Sequence, residues 1–327
     1  MSLLMENDVT ETSKPSPTVI IPLPSETTTP TTEPVVTLVP TPTAIPPVKR
    51  TWGNYPGPSI WPPVEIPPPA SILPKPEDQV NILLLGDDQR PNEYTFRTDS
   101  IIILTLNSKQ SSASMTSFPR DLYIYAPGWT MQRINVVFAR GGFDLMSTTF
   151  EYNFGVKLDY YAKINVFTFL KMIDSLGGID VAVAYPMTDD DAYLGKKRTV
   201  PAGNIHMNGE MAAWYVRSRY STSDFDRARR QQEVLQAILN RLLHPSTLEH
   251  APDVYNTLRN SVTTNLTLEN VASWIPLALQ IKKNNRLRQY MIGRAQTTDF
   301  TVPTDSSKVL LPKYEAILGI MRQAVTP

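Results

Sequence analysis

The sequence predicts an α/β fold, a layered α-β-α domain with a central mixed sheet that follows a Pro/Thr-rich extended linker. Two runs, 81–86 (NILLLG) and 100–106 (SIIILTL), are apolar almost throughout, which is typical of strands buried on both faces. In later stretches apolar residues recur at spacings of three and four, which indicates amphipathic helices. Strands that alternate with helices favour a central sheet covered by helices.

Prolines mark the N-terminal part of the chain as a different kind of segment. Of the 30 prolines among 327 residues, 19 lie at or before Pro76, mixed with threonine runs such as 27–32 (TTTPTT). Such a segment lacks the apolar periodicity of a core, so burial does not offset its ordering entropy. We therefore expect residues 1–78 to form a semi-extended, polyproline-rich linker or stalk, and residues 79–327 to form the folded domain.

Strands and helices are expected to alternate through the folded domain. After 81–86 and 100–106, strand-like composition recurs at 113–118, 160–164, 181–183 and 287–292. Helical spacing predicts helices at 166–176, 209–216, 227–243, 266–282 and 312–324. Two of these helices have clear stop signals, which are Gly177-Gly178 after the first and His244-Pro245 after the third.

Composition limits the function classes. Hydrophobic residues make up 41% of the chain, which is enough for a sizeable core. The formal charge is zero, but the first 80 residues hold 8 acidic and 4 basic side chains, which leaves 23 acidic and 27 basic for the rest. A net charge of about +4 fits an anionic ligand and is too small for a typical nucleic-acid binder, so no nucleic-acid partner is expected. Cysteine is absent, which excludes disulfides and thiolate metal sites.

The N-terminal segment also bears on localisation. Residues 1–3 (MSL) do not open a signal peptide, and the sequence holds no run of about 18 apolar residues. A Thr/Pro stalk before a cysteine-free domain is expected between a membrane anchor and an extracytoplasmic domain. The sequence thus predicts an extracytoplasmic protein, membrane-anchored at full length, whose anchor is absent from this chain. A soluble protein with a disordered tail is the alternative.

Two stretches far apart in sequence hold the charged side chains that suggest chemistry. They are rich in arginine and aspartate: Gly86-Asp87-Asp88-Gln89-Arg90, Arg97-Thr98-Asp99 and Pro119-Arg120-Asp121 in the first, Arg217-Ser218-Arg219 and 224–232 (DFDRARRQQ) in the second. The planar guanidinium of arginine binds phosphate oxygens two at a time. Paired carboxylates suit Mg²⁺ when substrate phosphates supply its other ligands. The sequence therefore predicts a site for a metal-bound pyrophosphate.

The spacing of these residues gives the expected geometry. Asp88 follows the first predicted strand and Asp99 precedes the second, so an antiparallel hairpin would bring both carboxylates to one sheet edge. Arg227 and Gln231 are four residues apart at a helix start, where they share a face near a helix end that favours phosphate. The acidic run 189–191 (DDD) lies in a polar stretch and is expected to be a solvated loop.

Nine short motifs follow one another in order between residues 81 and 232. They are Gly86-x-Asp88-x-Arg90, Arg97-x-Asp99-Ser100, Pro119-Arg120-Asp121, Arg133-Ile134-Asn135, Asp159-Tyr160-Tyr161, 177–180 (GGID), 208–212 (NGEMA), Tyr215-Val216-Arg217-x-Arg219, and Asp224-x-x-Arg227 with Arg230-Gln231. In this order they resemble the LytR-CpsA-Psr family of bacterial cell-wall ligases. Gln89 stands where a serine is common in the family, and Ser100 where a threonine is common. Neither departure removes a charged ligand.

The resemblance implies an Mg²⁺-dependent phosphotransferase that acts at the membrane surface. It would move a glycan phosphate from a polyprenyl diphosphate carrier to peptidoglycan or another wall polymer. The implied pyrophosphate-binding residues are Arg90, Arg97, Arg120, Arg217, Arg219, Arg227 and Gln231, and the implied metal ligands are Asp88 and Asp99. Arg120 would take part in catalysis, and Asp121 and Asp224 are candidates to accept the proton of the acceptor hydroxyl. The apolar faces of helices 166–176 and 227–243 would be core or the walls of a polyprenyl cavity.

Two other functions stay open at this level. A polyprenyl diphosphate pyrophosphatase would use the same Mg²⁺ and the same arginines, and would differ from a transferase only in the access given to an acceptor. A non-catalytic polyprenyl-lipid-binding or wall-binding module is the other hypothesis, and the presence of both candidate metal carboxylates counts against it.

Overall fold

The computed structural model describes residues 52–89, 96–191, 194–218, 223–250, 256, 259 and 261–325. Its strands are β1 (Gln79–Asp87), β2 (Thr98–Asn107), β3 (Ser112–Ser117), β4 (Tyr123–Tyr125), β5 (Met131–Arg133), β6 (Tyr160–Asn165), β7 (Ile179–Val183), β8 (Met187–Asp191), β9 (Lys196–Val200), β10 (Gly203–Met207), β11 (Val262–Thr264), β12 (Leu287–Met291), β13 (Thr297–Thr301) and β14 (Lys308–Pro312). Its α-helices are α1 (Val137–Phe154), α2 (Val166–Ser175), α3 (Gly209–Arg217), α4 (Asp224–Leu242), α5 (Pro245–Leu248), α6 (Leu268–Lys283) and α7 (Tyr314–Val325).

A six-stranded mixed sheet lies at the centre, in the order β11-β6-β1-β2-β3-β12. β1 pairs antiparallel with β2 and parallel with β6, while β12 pairs parallel with β3. Both the predicted hairpin of the first two strands and the predicted mixed sheet are confirmed. The apolar runs are continuous because both faces are covered, with Leu83 buried on one face and Ile82 on the other.

Helices cover the two faces of this sheet. On one face, Leu83 belongs to a core cluster with Phe150 of α1 and Met321 of α7. On the other face, Ile102 belongs to a cluster with Ile281 of α6. The predicted layered α-β-α architecture is therefore confirmed.

A smaller core beside the sheet holds the elements of the second arginine stretch. In it Ile173 of α2, Tyr215 of α3 and Val234 of α4 pack against β7. Helix α4 also reaches the main sheet, since Nε2 of Gln232 donates to Oγ of Ser117 at 2.8 Å and to the carbonyl of Tyr290 at 2.7 Å. These bonds tie α4 to the end of β3, the strand that leads to Arg120.

The predicted boundary of the folded domain at Gln79 is wrong. Residues 52–78 lie along the domain, where Tyr125 donates to the carbonyl of Pro56 at 2.8 Å and Tyr152 to that of Pro67 at 2.7 Å. Ile66 is buried in the same cluster. The segment has no core of its own. Its prolyl carbonyls accept hydrogen bonds from tyrosines of the domain, so the surface of the domain buries it. The linker predicted for residues 1–51 lies outside the described residues.

The acidic run 189–191 is also a correction. It belongs to strand β8, and the side chain of Asp191 is fully buried, 2.6 Å from Nε of Arg198. The sequence suggested a solvated loop because three adjacent charges seldom lie in a strand. Here β9 supplies the compensating arginine across the hairpin.

Helix α1 has no counterpart in the predicted elements, because Gly141-Gly142 interrupts its pattern. Gly142 has a φ of 62°, so the backbone is kinked where the spacing of apolar residues is broken. Among the helices of the described residues, none combines the length and hydropathy needed to cross a membrane.

Candidate active site

A β-bulge brings the two predicted metal carboxylates to one edge of the sheet. Gly86 pairs with Ser100 but Asp87 pairs with Thr98, so Asp99 is the extra residue of β2. The bulge changes the alternation of β2 at this point. As a result Asp99 and Asp88 both line the same cavity, on the face of the sheet opposite to the core of α1 and α7.

Asp88 and Arg97 close the end of the hairpin. Oδ1 of Asp88 accepts a hydrogen bond from the main-chain N–H of Arg97 at 3.0 Å, and the N–H of Asp88 lies 3.3 Å from the carbonyl of Arg97. Both side chains contribute to the cavity wall. The loop that joins them includes Arg90, which lies outside the described residues.

Arg120 enters the site from the turn after β3. Its Nη1 lies 3.1 Å from each carboxylate oxygen of Asp99, and its Nε lies 3.4 Å from Oδ2 of Asp121. Burial acts to lower the pKa of Arg120, but the charges of Asp99, Asp121 and Asp224 outweigh it and raise that pKa. The guanidinium is therefore held charged and half-buried at the site.

Helices α3 and α4 supply the second set of cations. Arg217 is the last residue of α3, and Arg227 and Gln231 lie in the first two turns of α4. Ser223 caps α4 by accepting from the N–H of Asp226 at 3.1 Å, so the helix begins where its positive pole adds to the arginine charges. Nε2 of Gln231 lies 3.4 Å from the carbonyl of Val216, next to Arg217.

One cavity of about 1190 Å³ brings these groups together with a long apolar wall. We call its polar part the charged end, lined by Asp88, Arg97, Asp99, Arg120, Arg217, Arg227 and Gln231. Most of the remaining wall comes from the sheet, α2, α4 and α6, with apolar side chains such as Leu104, Phe169, Leu235 and Trp274. Of the predicted pyrophosphate and metal residues within the described part of the chain, all lie at the charged end.

Two predicted site residues lie outside the cavity wall, and two others fall outside the described residues. Arg219, like Arg90, falls outside the described residues. Asp121 is not part of the cavity wall, because its carboxylate lies between Arg120 and Arg133, the latter at 3.6 Å. Asp224 also lies beside the wall, 3.1 Å from Nη1 of Arg227, with 43% of its side chain exposed.

Sequence reasoning did not assign a role to Asp87, although it lies in the first charged stretch. Its side chain is fully buried, 2.5 Å from Nζ of Lys163 and 2.9 Å from Nδ2 of Asn165. Asp87 also accepts from the N–H of Gln89 at 3.1 Å. Asp87 therefore anchors the loop after β1. Its side-chain partners come from β6, which pairs parallel with β1, and strand pairing cannot be seen in a single sequence.

The carboxylates suit Mg²⁺ only as a partner of a bound diphosphate. Within the described residues, no group of three or more Asp, Glu, His or Cys side chains could hold a metal by itself. Two aspartates at one cavity end offer the hard oxygen ligands that Mg²⁺ prefers, and Mg²⁺ usually binds one or two carboxylates together with phosphates and waters. The donor set thus fits Mg²⁺ together with a phosphate ligand.

Comparison with known proteins decides the family. The model of the LytR_cpsA_psr family matches residues 63–310. This chain belongs to that family. The match begins within the proline-rich segment that packs on the domain and ends in β14, so the LytR_cpsA_psr region covers both arginine stretches.

Relatives whose names state an activity are similar to about three fifths of the chain. A polyisoprenyl-teichoic acid–peptidoglycan teichoic acid transferase TagU of Bacillus cereus is 36% identical over 197 residues, 59% of this chain and 62% of the relative. The TagU protein of Bacillus subtilis is 34% identical over 198 residues, with 60% and 62% covered. The chain thus spans about three fifths of the length of these LytR_cpsA_psr relatives.

Solved structures share the fold. The crystal structure of B. subtilis TagV has a TM-score of 0.65 at 24% identity and covers 77% of this chain and 97% of that one. B. subtilis TagU has a TM-score of 0.58 at 28% identity, with 76% and 95% covered. TagT bound to LIIa-WTA has a TM-score of 0.60 at 24% identity, with 76% and 90% covered.

Proposed function

We propose that this chain is an Mg²⁺-dependent phosphotransferase of the cell wall. It moves a glycan phosphate from a polyprenyl diphosphate carrier to peptidoglycan or a similar wall acceptor and releases polyprenyl phosphate. The names of the TagU relatives, which are teichoic acid transferases to peptidoglycan, support this reaction class.

The observation that carries the proposal is one cavity with two chemically different parts. Four arginines and two aspartates line the charged end, while most of the rest of the wall is apolar. A volume of about 1190 Å³ exceeds the roughly 300–1,000 Å³ of ordinary ligand pockets. A polyprenyl diphosphate has the matching form, with a charged head and a long apolar chain.

The arginines bind and neutralise the diphosphate. Arg97, Arg120, Arg217 and Arg227 would donate charge-assisted hydrogen bonds to its oxygens, with Gln231 as a neutral donor. Arg90 and Arg219 would join them from the adjoining loops. Asp88 and Asp99 would hold Mg²⁺, which would offset the negative charge of the diphosphate.

The transfer step exchanges one P–O bond for another. The acceptor hydroxyl oxygen attacks the glycan-side phosphorus in line, and the bond from that phosphorus to the bridging oxygen breaks. Polyprenyl phosphate leaves with the bonding electrons and the hydroxyl proton goes to a base. Phosphoryl transfer depends on positioning and on charge neutralisation more than on covalent chemistry, so Arg120 contributes directly to catalysis.

Of the two candidate bases, Asp224 is better placed than Asp121. The Asp224 carboxylate is partly exposed beside the charged end and close enough to act on the pKa of Arg120. Asp121 is less accessible, because its carboxylate lies between the guanidiniums of Arg120 and Arg133 with 25% of its side chain exposed.

Localisation follows from the substrate. A polyprenyl carrier and a wall acceptor meet at the outer face of the cytoplasmic membrane, so we propose an extracytoplasmic, membrane-anchored protein. The proline- and threonine-rich N-terminal segment is suited to act as the stalk.

A transfer assay separates the proposed function from its alternatives. The chain is incubated with lipid-linked glycan and Mg²⁺, with and without peptidoglycan, and products are followed by mass spectrometry. A transferase forms glycan-bearing peptidoglycan and releases polyprenyl phosphate only when acceptor is present. Release without acceptor would identify a pyrophosphatase, and binding without release in either case would identify a lipid-binding module.

A further inference from the structure

Arg230 is a fully buried arginine that the pyrophosphate site does not use directly. It lies in the second turn of α4, beside Gln231 and one turn after Arg227, yet it is not part of the cavity wall. Arg227 and Gln231 are four residues apart and share the helix face toward the cavity. Arg230 lies on the face of α4 that meets α3.

The guanidinium of Arg230 contacts three acceptors that lie within the described part of the chain. Nη1 donates to the carbonyl of Tyr215 and Nη2 to the carbonyl of Ser218. Nε lies 3.3 Å from Oδ2 of Asp226, which brings a compensating charge. Only arginine offers donors in this fixed fork, because the lysine ammonium is a single point of charge.

The two carbonyls flank Arg217. Tyr215 lies two residues before it and Ser218 one residue after it, where the backbone leaves the helix with a ψ of 137°. Carbonyls at a helix C-terminus lack intrahelical partners, and a cation there also complements the negative helix pole. Arg230 therefore fixes the short stretch of backbone from which the Arg217 side chain projects.

Electrostatic repulsion opposes the placement of Arg217 at the charged end. Arg217, Arg227 and Arg120 are like charges at one cavity end, and without a ligand their repulsion opposes convergence. A backbone held only by the last turn of α3 could relax away from this repulsion. A buried, hydrogen-bonded guanidinium behind α3 prevents that relaxation.

Stability alone does not require an arginine at this position. A buried charge has a desolvation cost, and apolar residues of similar volume are often equally stabilising. Burial lowers the pKa of Arg230, while the nearby charge of Asp226 acts in the opposite direction. The three acceptors thus indicate that an arginine is needed here to hold the end of α3 in position.

We propose that Arg230 is a positioning residue for the pyrophosphate site. It holds the end of α3 so that Arg217 converges with Arg227 and Gln231 on the phosphate groups. The inference rests on the proposed function only in that the ligand is a diphosphate.

Arg241 is a matched control on the same helix. Its Nε donates to the carbonyl of Leu176 at 2.7 Å, the C-cap of α2, so it makes the same kind of contact with another helix end. Arg241 is not part of the cavity wall. Its replacement should remove a comparable structural contact without touching the diphosphate site.

The test is a double-mutant cycle read by calorimetry with geranyl diphosphate and Mg²⁺. We expect Arg230→Lys to weaken diphosphate affinity about tenfold in the otherwise unchanged chain, since misplacing Arg217 loses most of one charge-assisted contact. In an Arg217→Ala background the same change should have almost no further effect, because the side chain that it positions is gone. Arg241→Lys should leave affinity within about twofold, and thermal melts give the stability loss of each variant.

The outcomes separate this inference from the proposed function. Equal diphosphate affinity for Arg230→Lys and the unchanged chain, or full additivity with Arg217→Ala, would overturn the positioning role. If Arg230→Ala does not fold, the lysine variant still decides, because it retains charge and most of the volume. If the expected losses of diphosphate affinity are observed but no glycan is transferred, the positioning role stands and the transferase function is rejected. No diphosphate binding by the unchanged chain would reject both.

Discussion

Asp99 and Arg120 are paired across the charged end, with Nη1 of Arg120 3.1 Å from both oxygens of the Asp99 carboxylate. The pair joins a bulge residue of β2 to the turn after β3. Because Asp99 is also the candidate Mg²⁺ ligand, metal binding and the Arg120 pair use the same carboxylate. We expect Arg120 to exchange this pairing for the phosphate oxygens when a diphosphate binds.

Asp99→Asn tests the metal assignment. The amide keeps the shape but removes the charge, so we expect the fold to be retained and Mg²⁺-dependent release of polyprenyl phosphate from lipid-linked glycan to be lost. Asp88→Asn should behave alike. Release is measured against Mg²⁺ concentration, with Asp180→Asn, an exposed partner of His206, as the control. Full activity in Asp99→Asn, or equal activity in chelator, would contradict the assignment.

Arg217→Ala should weaken diphosphate binding. The lost charge-assisted contact is worth roughly 1.5–3 kcal/mol, which corresponds to about tenfold or more in Kd. The same loss is expected for Arg219→Ala. Calorimetry with a short-chain prenyl diphosphate gives Kd, and Arg288→Ala, an exposed arginine of β12, is the control. Unchanged affinity in both site variants would mean that the diphosphate binds elsewhere.

Asp224→Asn and Asp121→Asn distinguish the candidate bases. If Asp224 accepts the hydroxyl proton, its amide variant should lower kcat by about 100-fold, a larger effect than the change in diphosphate affinity caused by the loss of its pair with Arg227. Asp121→Asn removes a partner of Arg120 and should alter affinity more than kcat. Steady-state kinetics with lipid-linked glycan give both parameters. A normal kcat for Asp224→Asn would exclude it as the base.

Truncation tests the packed proline-rich segment. A chain starting at Gln79 loses the carbonyl acceptors of Tyr125 and Tyr152 and the burial of Ile66. Together these contacts are worth about 3 kcal/mol, so we expect Tm to fall by roughly 10 °C relative to a chain starting at Arg50. Thermal melts compare the two chains. Equal melting temperatures would show that residues 52–78 contribute nothing to the folded state.

Stability should decrease at alkaline pH through Tyr55. Burial, followed by a 2.8 Å hydrogen bond to Glu151, raises the pKa of Tyr55 from 10.0 to about 12. The folded state therefore binds more protons than the unfolded state between these values, and the free energy of unfolding falls as pH rises through this window. Tyr55→Phe should make that fall shallower in denaturant titrations from pH 9 to about 12. An unchanged slope would refute the contribution of Tyr55.

The residues of the candidate site could be predicted from the sequence, but their arrangement could not. The order of the motifs identified Asp88, Asp99, Arg120, Arg217, Arg227 and Gln231, and all of them line one cavity. The apolar runs at 81–86 and 100–106 predicted the hairpin that carries the two aspartates, because a two-face burial pattern is a local property. Asp99 faces the cavity because of a β-bulge, and the sequence of one strand does not show where a bulge forms.

The sequence by itself determined the family, the strand and helix alternation and the charged residue types, since each is encoded in local patterns or in motif order. Only the tertiary structure decided that Asp121 lies outside the cavity wall and that the acidic run at 189–191 is a paired strand. It also decided that Arg230 is buried behind α3 and that residues 52–78 pack on the domain. These features depend on contacts between segments far apart in the chain, and the free energy of such contacts comes from partner surfaces that local sequence does not contain.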